Sequence, residues 1–362
     1  MNPDRYFSVD YFEARGKFLQ AAAGAGFILG ARQNPARGPQ GERLFMDVGY
    51  RGPERPRRVL IVLSATHGVE GYCGSGIQIG CLEEGVFAAL PSETGVLLVH
   101  ALNPFGFAWE SRTNEDLVDV CRNFVDFTRA LPENEASAAL APLLVPEQWE
   151  GPVREAADGA LGRYLADRGL VRATSDIAKG QYSHWNAPFY GGRAPAWANR
   201  NLLECVRAHM SPDVRQVACI DCHSGLGPSG YGSMLIMHAP QSGAARRASE
   251  WWGERATFVR ADDSAVYDVT GDVLDGLEAA LPEVEFTAGC LEFGTLPVQD
   301  MLEAVRADHW LRCHGDPRAP LSRQIARKVR DAFYPDDSRW KRQVTEQGIG
   351  VTRETLAGLA NS

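Results

Sequence analysis

Two short apolar runs constrain this chain more than anything else in it. VLIVLSA (59–65) and VLLVHAL (96–102) are continuous in apolar residues, rich in β-branched ones, and too short for a buried helix. A strand with that pattern offers no face to water, so it needs cover on both sides. IQIGCLEEGVFAAL (77–90) lies between them and reads as a helix. Strand, helix and strand in that order predict an α/β layer. VACIDC (217–222), MLIMHA (234–239) and AGCLEFGT (288–295) read as further strands.

The remaining segments are assigned by pattern. The first thirty residues read as helical, including the small-residue piece AAAGAGFILG (21–30). Residues 31–57, rich in Gly, Pro and Arg, read as exposed loops with one strand near LFMDVGY (44–50). Helices are expected at 136–145, 153–169, 198–209, 298–313 and 319–333. The Gly-rich SGLGPSGYG (224–232) is expected as a loop, and the aromatic stretch 179–197 as a long loop of the kind that is commonly functional. The tail from about 337 is polar and shows no obvious site.

Composition narrows the function classes. With 37 Lys+Arg against 46 Asp+Glu, the net charge of −9 disfavours a general nucleic-acid or anionic-membrane surface. No apolar run approaches the roughly 20 residues of a membrane span. The start, MNPDRYFSVDYFEARGKF, lacks the basic-then-apolar order of a signal peptide. Of eight cysteines, only Cys219 and Cys222 form a CxxC, in an apolar run and with no second pair, which speaks against a zinc knuckle or a disulfide scaffold. A soluble protein of a reducing compartment, cytoplasmic by default, is expected. Gly24-x-Gly26 has no strand before it, so close helix packing accounts for it better than dinucleotide binding.

Chemistry-bearing residues gather where the strands should end. His67 and Glu70 follow the strand 59–65 at i, i+3, and His223 follows 217–222. Two imidazoles and a carboxylate can hold Zn²⁺ and leave a position for water. In open α/β sheets, sites collect at the carboxyl ends of strands. Taken alone, His67 and Glu70 also suit a packed histidine and a helix cap. Glu292 ends another strand, either as a proton-transfer group beside a metal-bound water or in a buried salt bridge. Arg112 and Arg122 offer fixed donors for an oxyanion or a carboxylate, or serve as structural residues. His184, in the aromatic stretch, is a candidate pocket residue. Ser75, in Gly74-Ser75-Gly76, lacks a nucleophile elbow. Cys222, beside His223 on a strand, should point to the opposite face and into the core. Cys73 reads as packing and His314 as an ordinary capping or surface residue.

THGVEG, NPFGFAWESRTNEDLVDVCRNF, DCHSG and LEFG, in that order between about residues 50 and 310, resemble the zinc carboxypeptidase superfamily. Within it, the chain most resembles the DUF2817 branch, related to succinylglutamate desuccinylase and aspartoacylase. The resemblance implies a three-layer α/β/α fold with a central mixed sheet of about eight strands. It implies one zinc ion on His67, Glu70 and His223, Glu292 as general base and acid, and Arg112 polarising the scissile carbonyl. Arg122 matches the arginine that binds a substrate carboxylate. Cys121 stands where the pattern has Asn, which removes a donor. Tyr231 ranks ahead of Tyr267 as counterpart of a substrate-binding tyrosine. The expected activity is hydrolysis of an amide bond in a small, carboxylate-bearing peptide or N-acyl amino acid; a ligand-binding protein that has lost turnover is the alternative. The expected organisation is 1–49 as an N-terminal elaboration, 50–315 as the catalytic domain, and 316–362 as a C-terminal helix and tail packed on it. The oligomeric state stays open.

Overall fold

The computed structural model describes residues 3–261, 264, 266–316 and 318–361. Eight strands form one sheet: β1 (Ile28–Arg37), β2 (Arg43–Arg51), β3 (Arg58–Ser64), β4 (Thr94–His100), β5 (Gln216–Ser229), β6 (Gly232–Ile236), β7 (Ala256–Phe258) and β8 (Glu285–Gly294). Their order is β1-β2-β4-β3-β5-β8-β6-β7. The central four, β4-β3-β5-β8, pair in parallel. β2 joins β4, and β6 joins β8, antiparallel.

The parallel centre explains the unbroken apolar runs. Side chains alternate across a strand, and both faces of these strands are covered. Leu60 and Val62 of β3 face one core cluster; Val59, Ile61 and Leu63 face another. The first cluster takes in Phe18 of helix Tyr11–Gly24, Tyr72 and Ile77 of helix Gly71–Glu83, and Val344 and Leu356 of helix Ser338–Asn361. The second takes in Leu202 of helix Trp197–His209 and Leu277 of helix Val273–Ala280. The fold is therefore a three-layer α/β/α sandwich around an eight-stranded mixed sheet. A third cluster joins Ile177 of helix Leu170–Ala178, Val305 of helix Val298–His314, and Phe333 of helix Pro320–Phe333 to Val69, just past β3. It roofs the carboxyl end of the strands. No described helix is long and apolar enough to cross a membrane.

Several expectations are corrected. The helix expected over the first thirty residues ends at Gly24, and Gly26 at φ 74° turns the chain into β1. Residues 31–57 hold most of a β1–β2 hairpin rather than loops, so the expected boundary at 49/50 falls inside β2. The helix after β3 begins at Gly71, not 77, and ends at Glu83. Strand β5 runs through most of the expected loop 224–232, with a register irregularity between Gly225 and Ser229. The polar tail carries a 24-residue helix, Ser338–Asn361.

The glycines of THGVEG work by close approach rather than by turning. A Cβ on Gly68 would lie 2.0 Å from the Gly106 carbonyl carbon, and one on Gly71 would meet the Phe107 ring at 2.5 Å. The left-handed backbone at this strand end belongs instead to Ala65, at φ 57°. Strained conformations of this kind persist where the surrounding structure holds them.

Candidate active site

The site lies where β3, β5 and β8 end. Leaving β3, the chain turns at Ala65, and His67 starts the short 3₁₀ turn Gly68–Glu70 that leads into helix Gly71–Glu83. That turn brings Glu70 back over His67: His67 Nδ1 lies 2.8 Å from Glu70 Oε1. His223 on β5 sits directly across the parallel ladder from Glu292 on β8. Its Nδ1 lies 2.9 Å from Glu70 Oε2 and 3.2 Å from His67 Nδ1. All three side chains are buried, and their candidate ligand atoms lie within 4.8 Å of one another.

Two aspartates orient these imidazoles. His67 Nε2 is 3.0 Å from Asp119 Oδ1, and His223 Nε2 is 2.7 Å from Asp221 Oδ2. Asp221 favours an N–H at His223 Nε2, which turns that Nδ1 lone pair toward the centre. His67 Nε2 also lies 2.8 Å from Arg112 Nη2, so Asp119 and Arg112 together fix its ring with Nδ1 facing inward. Histidine ligands are commonly fixed in this way. Two inward ring nitrogens and a carboxylate in contact form a donor set that fits a divalent cation. The electrostatics agree. Burial alone would raise the Glu70 carboxyl, but His67 and His223 outweigh it and hold it below the usual range. Burial would lower His223, but Asp221 and Glu70 raise it well above an ordinary histidine.

Glu292 differs from Glu70. Burial, reinforced by the neighbouring Glu70 charge, pushes its carboxyl up to about 7. Its Oε1 accepts the Leu226 backbone N–H at 2.9 Å. A carboxyl poised near neutrality suits proton transfer. Arg112 donates through Nη1 to Asp119, and its backbone N–H donates to Asp308 Oδ2 at 2.7 Å. Burial opposes ionisation of Asp119, but Arg112 and Arg122 keep it well below the ordinary carboxylate range. Both guanidiniums face the Phe189 ring, at 5.0 and 5.5 Å from its centroid. Arg122 is partly occupied: Nε and Nη2 donate to Ala178 O, and Nη1 to Cys121 O. Of its five N–H groups, one on each Nη remains.

A cleft of about 850 Å³ brings together His67, Glu70, Arg112, Cys121, Arg122, His223, Tyr267 and Glu292. Tyr231 and His184 are not among its lining residues. Tyr231, 43% exposed, lies in a surface groove with Trp251 and Gln347, because β5 continues past His223 and carries the following turn away. His184 turns its Nδ1 to Ser183 Oγ at 2.8 Å, and its segment sends Phe189 into the cleft instead. Cys121 donates its thiol to Asp272 Oδ2 at 3.1 Å. Ser75 is buried against His100 Nε2 at 2.9 Å and does not line the cleft. Cys222 is in the core on the face opposite His223.

Asp119, Asp221 and Cys290 were not singled out in the sequence. The signal for Asp221 and Cys290 is period two, since each sits two residues before His223 or Glu292 on the same strand face. Cys290, His223 and Glu292 form a second, overlapping group of potential ligands. Asp119 lies in irregular chain and leaves no periodic signal.

Among solved structures, the fold is similar to Fimbriiglobus ruber glutaminyl cyclase (10% identity, 97% of this chain and 87% of that one, TM-score 0.43). It is also similar to Helicoverpa armigera carboxypeptidase A (12% identity, 89% and 73%, TM-score 0.42) and to Escherichia coli O157 murein-tripeptide amidase (14% identity, 82% and 97%, TM-score 0.37). No curated relative matches the sequence. Residues 7–347 match the family described as protein of unknown function (DUF2817), and the chain belongs to that family.

Proposed function

We propose that this protein is a zinc-dependent hydrolase of amide bonds in small peptides or N-acyl amino acids. One observation carries the reading: two imidazoles and Glu70 converge on one point, with Glu292 directly across the β5–β8 ladder from His223. Nitrogen and oxygen donors of this kind suit zinc. Bound there by His67, Glu70 and His223, Zn²⁺ would supply Lewis acidity and an acidified water.

The protein's own groups supply the rest. Glu292 accepts the proton of the attacking water and returns it to the departing amine. Arg112 donates to the carbonyl oxygen as negative charge grows on it, and Asp119 and Asp308 hold Arg112 in place. Asp221 holds the His223 ring, and Asp119 with Arg112 holds the His67 ring, so that each Nδ1 faces inward. The free N–H groups of Arg122 hold the carboxylate of the leaving amino acid. Cys121 directs its thiol to Asp272 and adds no donor of its own. Tyr267, half-buried in the wall of the cleft, replaces Tyr231 as the candidate tyrosine.

The complete set of proton-transfer and charge-stabilising groups favours turnover over a ligand-binding protein that has lost it. The test is zinc reconstitution followed by assay on N-acyl amino acids. Glu292→Gln should retain stoichiometric zinc and lose about 10²- to 10⁴-fold in kcat. Failure of the wild-type chain to take up zinc would end the proposal.

A further inference from the structure

The active-site cleft does not end at the catalytic groups. A second cavity adjoins it, sharing Leu226, Leu235, Val266, Tyr267 and Glu292, and continues outward to Leu170 and Val171. Its volume is about 820 Å³. Glu292, at the junction, is the one charged side chain among its described lining residues. At the mouth, Leu170 is 38% and Val171 55% exposed. The inner part of the cleft is different: Arg112, Arg122, Glu70 and the two histidines all line it.

This difference in charge orients a substrate. A carboxylate belongs at Arg122, and the scissile carbonyl between Arg112 and Glu292. The part of the substrate on the acyl side then extends past Tyr267 into the outer limb. Among the described residues that line it there is no cation for an acidic acyl group, and its polar side chains besides Glu292 are the hydroxyls of Thr174, Ser233, Thr257 and Tyr267. Exposed aliphatic side chains continuous with a reactive cleft are costly to leave bare and indicate an apolar occupant.

We infer that the outer limb binds an aliphatic chain, so that the substrates are N-acyl amino acids with acyl groups well beyond acetyl. The inference rests on the hydrolase reading above. Water adds across the amide, releasing a fatty carboxylate through the apolar mouth and a free amino acid from the Arg122 end.

Two measurements separate this inference from the reading beneath it. First, the zinc-loaded protein is assayed on acetyl-, hexanoyl- and decanoyl-glycine and on the matching leucine series. kcat/KM should rise with chain length, by at most about fourfold per buried methylene. Val171→Asp, at an exposed position, should lower the ratio of decanoyl to acetyl kcat/KM about tenfold. Second, the metal-free protein is titrated with the same compounds by thermal shift, and decanoyl-glycine should stabilise it more than acetyl-glycine. If binding lengthens with the chain but no compound is hydrolysed, the apolar limb stands and the hydrolase reading falls. Hydrolysis that is flat with chain length, or greatest for acetyl, overturns the inference and leaves the hydrolase reading intact. Dipeptides cleaved faster than every acyl amino acid would also overturn it, pointing to an apolar residue side chain as the occupant.

Discussion

His223 turns Nε2 to Asp221, His67 turns Nε2 to Asp119 and Arg112, and both keep Nδ1 for the centre of the site. The aspartates are therefore as much a part of the proposed metal centre as its ligands. Asp221→Ala should leave the fold intact yet weaken zinc binding about 10- to 100-fold, measured by competition with a chelator. Asp119→Asn should do the same and also lower kcat, because Asp119 holds Arg112 as well. If Asp221→Ala left zinc affinity unchanged, the assignment of Nδ1 as the ligating atom would be wrong. Of these groups, the ligands and Glu292 were legible as motifs. Asp119 was not, because it lies in irregular chain and its histidine partner, His67, is 52 residues away. The rank of Tyr231 above Tyr267 shows the same weakness. Nearness in sequence to His223 favoured Tyr231, but the length of β5 decided the matter.

Among the elements, the turn after β3 is the most constrained. It must place His67 and Glu70 on one point while helix Gly71–Glu83 packs against the sheet. Gly68 lies against the backbone of the turn at Gly106, which cannot retreat without moving Ser111 and Arg112; Val69 N donates to Ser111 O at 2.9 Å. Gly68→Ala should therefore cost roughly 3 kcal/mol in chemical denaturation and lower zinc affinity with it. A neutral outcome would mean that the two segments can separate freely. The buried parallel strands were legible because cover on both faces leaves an unbroken apolar run. β1 was not: most of its residues are exposed, and an edge strand wet on both faces carries no alternation. The polar tail was underread for a related reason. Helix Ser338–Asn361 shows polar residues throughout, yet Val344, Ile349, Leu356 and Leu359 line the face that packs on the core.

At the level of the whole molecule, β4 carries a histidine into the core. His100 stacks on Phe18 with ring centroids 4.4 Å apart, meets Ser75 through Nε2, and has no partner for Nδ1. Burial, with the nearby Arg15 charge, pushes it down to about 3. The unfolded chain takes up that proton near pH 6.5 and the folded chain does not, so stability should fall as pH drops from about 6.5 toward 3. Asp308 acts in the opposite sense. Burial raises it to about 6, so its contribution improves as pH falls toward the ordinary 3.8. A comparison with His100→Gln isolates the histidine: the variant should lose less stability on acidification, read as unfolding free energy against pH. Parallel curves would remove His100 from the acid response. Local pattern alone was sufficient for the α/β class, the parallel strands and the residues able to hold a metal. These depend on periodicity and on side-chain chemistry, both of which are written along the chain. The roles of Asp119, Tyr267 and Phe189, the membership of β1 in the sheet, and the apolar limb beyond Glu292 were decided only in three dimensions. β1 is an exposed edge strand paired with its neighbour β2, and the others are relations between segments that only the packed layers bring together; no local period encodes either.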